Sequence, residues 1–560
     1  MRRIFVLMAV MAVLVTDVAG KERTNGEMLS IARETLFRGD AAKAKGANVE
    51  LRQVRDSRQL GVFTADGYGF VVVNRDDAGR TILGLSATDY DADNMPDGLK
   101  WWLENTEDAL ANGIKGSFYA DILNVDAVID NFITTKWNQQ APFNNKCPMV
   151  TSGSKSRTAP TGCVATALSQ VMNYYKYPEQ GKGKGKGTYS VTNDKKTTSY
   201  TVNISGTYDY NSLKDTYSRS ETDDEAISTL LFEVGAACAM EYGYSGSGTS
   251  FIKAAQAMAN NFSYDSLALN YHYGGHYLED EWLTMIRKEM EANRPVLYGS
   301  ADPTYGGHAF LFTGLDTEGK VWINWGWGGD GDGWFAIDQL TVNQLNFCKL
   351  QQMLTGFVPR MEPTEDEENL SYILYLENKG LSLALTGNTV YINSYSIVNY
   401  SWRVFKGEVR CVVENRATGD KAYRTIFGEE KLFGPFIVRS YKIQNNLSYW
   451  FKKSYPNGFP EGNYKVYMEC KSTEEKEWQT IRREGDLACY AWFSVNDDGT
   501  VIVDNESPTT AIGNVKTDTV GENMGTYDLG GRKVNGKDNK TTRMLIRRNG
   551  KGVEKILEIK

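Results

Sequence analysis

Residues 158–178 read "TAPTGCVATALSQVMNYYKYP" and predict a helix that begins at a cysteine. Pro160 cannot continue a helix toward the N terminus, and Thr161 and Gly162 form a tight entry. The apolar residues that follow recur at three- and four-residue spacing and form one stripe: Val164, Ala167, Leu168, Val171, Met172 and Tyr175. Pro178 ends the pattern, so we expect a helix over residues 163–176 with Cys163 in its first turn.

The position of Cys163 favours a nucleophilic thiol. Unpaired backbone N–H groups and the positive end of the helix dipole favour an anion there, so we expect a lowered pKa for this thiol. A small buried structural cysteine explains the helix position equally well. The choice between the two therefore depends on whether the chain also supplies a base.

Three histidines are present, and His308 is the best candidate base. It lies in "YGGHAFLF", where an apolar strand follows and Gly307 leaves room for a substrate backbone. His272 and His276 have an i,i+4 spacing that could serve a metal, but no third ligand is evident. We therefore expect them in a surface loop.

An imidazole that transfers protons needs an orienting group, and Asn324 in "VWINWGWGGDGDGWF" can supply one. Trp325 would shield that contact from water, although the same turn could instead bind Ca²⁺ through Asp330 and Asp332. His308 follows Cys163 by 145 residues and Asn324 follows His308 by 16, which is the papain-like layout.

The oxyanion formed during acyl transfer also needs hydrogen-bond donors. The backbone N–H of Cys163 is one candidate. The side chain of Gln139 in "KWNQQAPFNNKCP" is the other, unless it is an ordinary polar loop residue.

Composition narrows the class of protein. The chain has 560 residues and a formal net charge of −8, which argues against a nucleic-acid partner. Arg2 and Arg3 precede a short apolar run over residues 4–15 and small residues at 18–20, the pattern of a secretory signal peptide. No other stretch is apolar enough to span a bilayer. Seven cysteines are too few for a disulfide scaffold, and the odd number leaves at least one thiol over.

The pattern along the chain predicts an α+β protein with several domains. We expect a signal peptide over 1–20, a small α+β unit over 21–120, an α+β catalytic domain over 121–361, an all-β, Ig-like sandwich over 362–505, and a tail or short hairpin module over 506–560. Residues 111–135 read as a second helical stretch of the N-terminal part. The "GKGKGKG" run at 181–187 reads as a solvated flexible loop.

Four motifs, "WNQQAPFN", "TGCVATALSQVMNYYKYP", "GGHAF" and "INWGWGG", resemble the motif series of the streptopain family, secreted bacterial cysteine peptidases with a papain-like fold. The likeness is greatest to the interpain type of Bacteroidetes and covers roughly residues 25–361. The resemblance implies that Cys163 is the nucleophile, His308 the general base, Gln139 the oxyanion-hole residue, and Asn324 and Trp325 the orienting pair.

The resemblance also implies properties of the neighbouring segments. The "EYGYSGSGTS" loop with Ser245 and Ser247 would bind substrate, although it lacks a proline that some members have there. Residues 21–120 would be a pro-domain that blocks the cleft until cleavage within "NGIKGSFYADILNVD", at 112–126. The family's preference for a hydrophobic residue two positions before the scissile bond implies an apolar pocket, and the C-terminal segment resembles sorting modules.

The sequence thus predicts a secreted or surface-bound bacterial cysteine endopeptidase that acts on proteins without a metal or cofactor. Its pro-domain would inhibit it, and its β-sandwich would bind a ligand on a host or cell surface. Two other classes stay open. A transglutaminase-like acyltransferase usually carries Asp as the orienting residue, and an adhesin on an inactive peptidase scaffold would not need the complete set of site residues.

Overall fold

The computed structural model describes most of the chain between residues 21 and 504, and three strands beyond it. The described residues are 21–38, 46, 48–113, 120–191, 196–218, 220–277, 279–302, 306–338, 340, 351–360, 374–376, 381–435, 437–441, 444–473, 477–483, 490–504, 526–527, 543–549 and 552–558. The predicted signal peptide, Cys348 and Cys489 lie outside them. Within these ranges, no helix has the length and apolar character needed to cross a membrane.

The N-terminal region is a small α+β unit. Its elements are α1 (Asn25–Leu36), β1 (Arg52–Asp56), β2 (Leu60–Ala65), β3 (Gly69–Asn74), β4 (Ile82–Ser86) and α2 (Asp97–Ala111). Thr24 and Glu27 form a reciprocal capping box at the start of α1. Strands β2 and β3 are buried along their whole length because α1 covers one face of their sheet and α2 covers the other. Burial on both faces explains why both strands read as uninterrupted apolar runs.

The next region carries four α-helices of 10 to 13 residues. Its elements are a 3-10 helix (Ala120–Leu123), β5 (Met149–Ser152), β6 (Lys155–Thr158), α3 (Cys163–Tyr175), β7 (Lys184–Val191), β8 (Lys196–Asn203), α4 (Glu225–Ala237), β9 (Glu241–Tyr242), β10 (Ser247–Gly248), α5 (Phe251–Asn260), β11 (Asn270–Tyr273), a 3-10 helix (Gly274–His276), α6 (Glu279–Glu291), β12 (Val296–Asp302), β13 (Gly306–Leu315), β14 (Val321–Asn324), β15 (Gly333–Phe335) and β16 (Gln351–Thr355).

One antiparallel sheet of ten strands runs through both regions in the order β1-β2-β3-β4-β15-β14-β13-β12-β16-β11. The two regions join where β4 pairs with β15, with Ser86 opposite Gly333. Helix α3 packs against β13 and α4, and its predicted apolar stripe lies in the core that these elements share with α5. These features confirm the predicted α+β class.

Two local predictions were wrong. The "GKGKGKG" run is largely part of strand β7, which pairs with β8. The glycines permit close packing, since a Cβ at Gly185 would lie 2.4 Å from the Ala236 backbone and one at Gly187 2.3 Å from the Met240 carbonyl oxygen.

Residues 111–135 do not form a helix in their described part. They contain only a short 3-10 helix, and an isolated bridge pairs Ile129 with Leu315 instead. The backbone of this segment thus follows β13 rather than closing helical hydrogen bonds.

The third region is built from strands in several sheets. Its elements are β17 (Leu374–Leu376), β18 (Leu383–Thr386), β19 (Thr389–Ile392), β20 (Tyr395–Asn399), β21 (Phe405–Asn415), β22 (Lys421–Phe433), β23 (Val438–Tyr441), β24 (Asn445–Asn446), a single helical turn α7 (Leu447–Trp450), β25 (Gly462–Ser472), β26 (Gln479–Thr480), β27 (Arg482–Arg483), β28 (Tyr490–Val495) and β29 (Val501–Asp504). Side chains from a four-stranded and a six-stranded sheet share one core, as in a β-sandwich.

The last 55 residues, Glu506–Lys560, form a separate compact unit. Its described strands are β30 (Thr526–Tyr527), β31 (Arg543–Asn549) and β32 (Gly552–Glu558), and β31 and β32 form an antiparallel hairpin.

His272 and His276 are buried, so their predicted place in a surface loop was wrong. They lie where the third region packs on the second. The ring of His276 stacks on Tyr375 with centroids 3.7 Å apart, and Tyr400 lies 4.8 Å away. His272 hydrogen-bonds to Tyr277 and Thr355, both at 2.8 Å. Among the described residues no cluster of ligands suited to a metal is found.

Burial lowers the pKa of both histidines to about 3, and the charge of Arg403 adds to the effect at His272. An unfolded histidine takes up a proton near pH 6.5, whereas these buried rings resist it. Protonation of either ring therefore leaves the free energy of unfolding unchanged above about pH 6.5. As the pH decreases from 6.5 toward 3, each ring lowers that free energy by about 1.4 kcal/mol per pH unit.

We predict that His276→Phe makes the protein less sensitive to acid, because phenylalanine keeps the stacking and takes up no proton. In a Cys163→Ala background, urea unfolding at pH 4 to 6 should show a slope of unfolding free energy against pH smaller by about 1.4 kcal/mol per unit. Tyr400→Phe is the control and should keep the parental slope. An unchanged slope for His276→Phe would contradict the linkage.

Candidate active site

Cys163 is the first residue of α3, and the residue before it determines how the chain enters the helix. Gly162 has φ = 90°, a region that favours glycine, and it makes no side-chain cap for the helix. A Cβ at Gly162 would lie 2.8 Å from the Met240 side chain and 2.9 Å from the carbonyl oxygen of Ser247. The thiol therefore lies beside uncapped backbone N–H groups of the first turn.

The thiol of Cys163 also receives a hydrogen bond from the backbone N–H of Ala309, the residue after His308. Loss of solvent around the sulfur nevertheless raises its pKa, and the carboxylate of Asp97 raises it further, against the lowering effect of the Ala309 and Val164 N–H groups. The expectation of a lowered pKa was thus wrong for this form of the chain, because desolvation outweighs the helix terminus.

His308 lies near the start of β13, where it pairs with Ser300 of β12. Its neighbours Ala309 and Leu311 face the core around α3, whereas Phe310 faces the core around α2. Side chains alternate along a strand, so the half-buried imidazole shares the face of Phe310. His308 thus follows the exposed Gly307 and precedes the residue that contacts the Cys163 thiol.

Asn324 ends β14, directly across from Leu311 of β13. Its Oδ1 accepts from Gln170 Nε2 at 3.2 Å and from the Gly326 N–H at 3.0 Å. Its Nδ2 donates to the Thr135 carbonyl at 2.8 Å and to Gln170 Oε1 at 3.1 Å. The predicted orienting amide therefore belongs to a buried hydrogen-bond network.

Trp325 is held by the glycine-rich turn that follows it. Its backbone N–H donates to Asp332 Oδ1, and its Nε1 donates to the Gly331 carbonyl, both at 2.9 Å. Burial raises the pKa of Asp332 to about 7. The Asp332 carboxyl group therefore does not support the alternative of a Ca²⁺ site, because it already binds the Trp325 N–H within the turn.

Gln139 is half-buried, and its carbonyl oxygen accepts from the Thr161 N–H at 3.1 Å, which places it next to the start of α3. The Gly328 N–H donates to the Trp137 carbonyl at 3.0 Å, so the Gln139 loop also contacts the Trp325 turn.

The predicted substrate loop lies on another side of Cys163. Ser247 is half-buried with its carbonyl beside Gly162, whereas Ser245 is exposed and borders a surface cavity of about 290 Å³. The structure thus brings Gln139, Cys163, Ser247 and the Trp325 turn together around the start of α3.

The N-terminal region packs on the Trp325 turn of this site. The start of α2 packs on the Trp325 turn, where a Cβ at Gly98 would lie 2.7 Å from the Trp325 ring. Ser86 donates to the Asp332 carbonyl at 2.7 Å, and the Gly331 N–H donates to Thr88 at 2.8 Å. Docked this way, the N-terminal region holds the turn beside Asn324 and contributes the charge of Asp97 near the thiol.

Sequence reasoning missed Gln170 and Thr135. Gln170 is fully buried and connects α3 to Asn324. A signal for it exists, since Gln170 is a polar residue in a helix with a strong apolar stripe, and buried polar groups need partners.

Comparison with known proteins gives one family. Residues 137–335 match the sequence profile of the Peptidase C10 family. The chain is 33% identical over 300 residues to the "Thiol protease/hemagglutinin PrtT" of Porphyromonas gingivalis, a match that covers 50% of this chain and 33% of that protein. It is 28% identical over 348 residues to streptopain of Streptococcus pyogenes, over 58% of this chain and 86% of streptopain.

Two solved structures from Prevotella intermedia are also similar. A prointerpain A fragment is 31% identical, covering 56% of this chain and 99% of the fragment, with a TM-score of 0.49. Active interpain A cysteine protease is 34% identical, covering 42% of this chain and 96% of that chain, with a TM-score of 0.37.

The profile match runs from the Gln139 loop to β15 and contains all four sequence motifs. Residues 137–335 therefore belong to the peptidase C10 family of cysteine peptidases, as the motifs predicted.

Proposed function

We propose that this protein is a secreted bacterial cysteine endopeptidase, made as a self-inhibited zymogen, whose nucleophile is Cys163. The observation that carries the proposal is the meeting of four motifs at one helix terminus. Cys163 begins α3, Ala309 after His308 contacts its thiol, the Gln139 backbone bonds to Thr161, and Trp325 follows Asn324 into the adjoining turn.

In the proposed reaction the Cys163 thiolate attacks the peptide carbonyl carbon and forms a C–S bond. The Cys163 N–H and the Gln139 side chain stabilise the oxyanion. His308, as imidazolium, protonates the leaving amine as the C–N bond breaks, and the neutral imidazole then takes a proton from the water that hydrolyses the thioester. Asn324 orients the imidazole, and Trp325 keeps water from that contact.

Inhibition by the N-terminal region is the second part of the proposal. Its support is the contact of Gly98 with Trp325 and the charge of Asp97, which helps to raise the pKa of the Cys163 thiol. Removal of residues 21–120 would return solvent to the sulfur, so the helix terminus could then stabilise the thiolate. Cleavage is expected within 112–126, of which 114–119 lie outside the described residues.

Substrate preference and partners complete the proposal. A hydrophobic residue two positions before the scissile bond would meet apolar side chains near the thiol, where Met240 lies against Gly162 and Phe251 lies against Gly299 beside His308. The β-sandwich is proposed to bind a ligand on a host or cell surface. Its support is a set of exposed apolar side chains on that domain, among them Val404, Leu432 and Ile437.

We predict that purified wild-type protein shortens itself to a mature form and cleaves peptides, whereas Cys163→Ala stays full length. Gel electrophoresis and a fluorogenic peptide with phenylalanine or aspartate two positions before the cleaved bond would follow both activities. The phenylalanine peptide should be cleaved at least about tenfold faster. Cys411→Ala, a buried thiol of the β-sandwich, should behave as wild type.

Two results would overturn this proposal. Maturation of pure Cys163→Ala at the wild-type rate would exclude self-processing through this thiol. Formation of isopeptide bonds without peptide cleavage would favour a transferase, and inactivity toward both classes of substrate would favour an adhesin.

We also predict that release of the N-terminal region makes Cys163 more reactive. The test compares two samples of a full-length His308→Ala variant, one cut by a trace of wild-type enzyme and one left uncut. Iodoacetamide should alkylate Cys163 about tenfold or more faster in the cut sample at pH 7, because desolvation no longer disfavours the thiolate. Mass spectrometry of the Cys163 peptide measures this rate, and the buried Cys411 provides an internal control. Equal rates before and after cutting would show that the N-terminal region does not suppress the thiolate.

A further inference from the structure

Gln170 lies on α3 two turns after Cys163, and it is fully buried. Its Oε1 accepts from the Thr135 hydroxyl at 2.9 Å, from Asn324 Nδ2 at 3.1 Å and from the Trp137 N–H at 3.5 Å. Its Nε2 donates to Asn324 Oδ1 at 3.2 Å. One side chain thus connects the helix of the thiol, the Asn324 amide and the segment that leads to Gln139.

The two amides bind each other reciprocally, and their surroundings leave only one orientation for each. Gly326 presents an N–H, which can only donate, so the atom of Asn324 that faces it must be the oxygen. The Thr135 carbonyl can only accept, so the nitrogen of Asn324 must face it. The Trp137 N–H fixes the Gln170 oxygen in the same way. Gln170 therefore determines which atom the Asn324 amide presents on each side.

We propose that Gln170 is a positioning residue for the peptidase reaction: it holds the amide of Asn324 in one orientation, and through the Gly326 N–H that this amide binds it fixes the backbone next to Trp325. The inference rests on the proposed function and adds a residue to it. Gln170 need not touch substrate for this role, because it acts through Asn324 alone.

Packing requirements alone give no reason for a glutamine at this position. Its neighbours on α3, Val171 and Met172, are fully buried and apolar, so an apolar side chain would meet the demand for burial as well. A buried amide loses its hydration and is tolerated only when its donors and acceptors are bonded, as they are here. Such a network selects one arrangement of its members, which is what an orienting group requires.

The test uses the mature enzyme with three substitutions. Gln170→Glu keeps the shape and the acceptor oxygens, so it preserves the contacts from Thr135 and Trp137. Gln170→Met removes donor and acceptor together. Asn173→Leu is the matched control, because Asn173 is a buried amide on the same helix whose Oδ1 accepts from Lys176 Nζ at 2.8 Å.

Gln170→Glu should make activity depend on pH in a new way. At low pH its protonated carboxyl group can donate to Asn324 Oδ1, whereas the carboxylate can only accept and would face that oxygen. We expect the ratio of its kcat/KM to that of wild type to fall about tenfold or more as the pH rises from 5 to 8. Gln170→Met should lower kcat about tenfold or more at every pH, with KM within about threefold of wild type.

The outcomes separate the two proposals. A wild-type enzyme without peptidase activity would contradict the proposed function itself. If the wild type is active and Asn173→Leu keeps the wild-type pH profile, the decisive quantity is the kcat/KM of Gln170→Glu relative to wild type. A ratio that does not change with pH would show that Gln170 serves folding only. This conclusion would hold even if Gln170→Met did not fold. Full kcat in Gln170→Met would also overturn the positioning role.

Discussion

The hydrogen bond from the Ala309 N–H to the Cys163 thiol joins the first turn of α3 to strand β13, and the rest of the site depends on that packing. Ala309 and Leu311 form part of the core that buries the apolar face of α3, so the same interface that stabilises the domain places the residue after His308 at the sulfur. The position of Asn324 is then set by the register of the sheet, since this residue lies opposite Leu311. The site is therefore assembled by core packing and main-chain pairing, and the loops need only bring Gln139 and Ser247 to its rim.

The N-terminal region acts on this arrangement as part of the same sheet. Pairing of β4 with β15 aligns Ser86 and Thr88 with the turn that holds Trp325, and Trp102 packs on Phe335 with its Nε1 donating to the Ala336 carbonyl at 2.8 Å. The raised pKa of Cys163 follows from the desolvation and negative charge around the docked thiol. Asp97, at the start of α2, is the residue of the N-terminal region whose charge contributes to this shift.

Local signals in the sequence were sufficient for the elements with a regular pattern. The start of α3 at Cys163 and its end near Pro178 follow from proline, glycine and apolar spacing, and strands β2 and β3 follow from their apolar runs. The wrong predictions involve partners that are distant in sequence. Strand β7 depends on the packing of Gly185 against α4 and of Gly187 against the Met240 carbonyl. The burial of His276 depends on Tyr375, which comes from another region. The direction of the Cys163 pKa shift depends on protein that covers it, which no pattern around the cysteine records.

The two strands that join the regions, β4 and β15, are synthesised at different times. A ribosome releases the N terminus first, so β1–β4 and α2 are outside the ribosome before Gly333 is translated. The Trp325 turn and β15 are therefore synthesised after the strand and the residues that they contact, Ser86 of β4 and Thr88 among them. In a chain under synthesis the residues that contact the Trp325 turn are made before the turn itself, so no nascent chain contains this turn without its N-terminal partners.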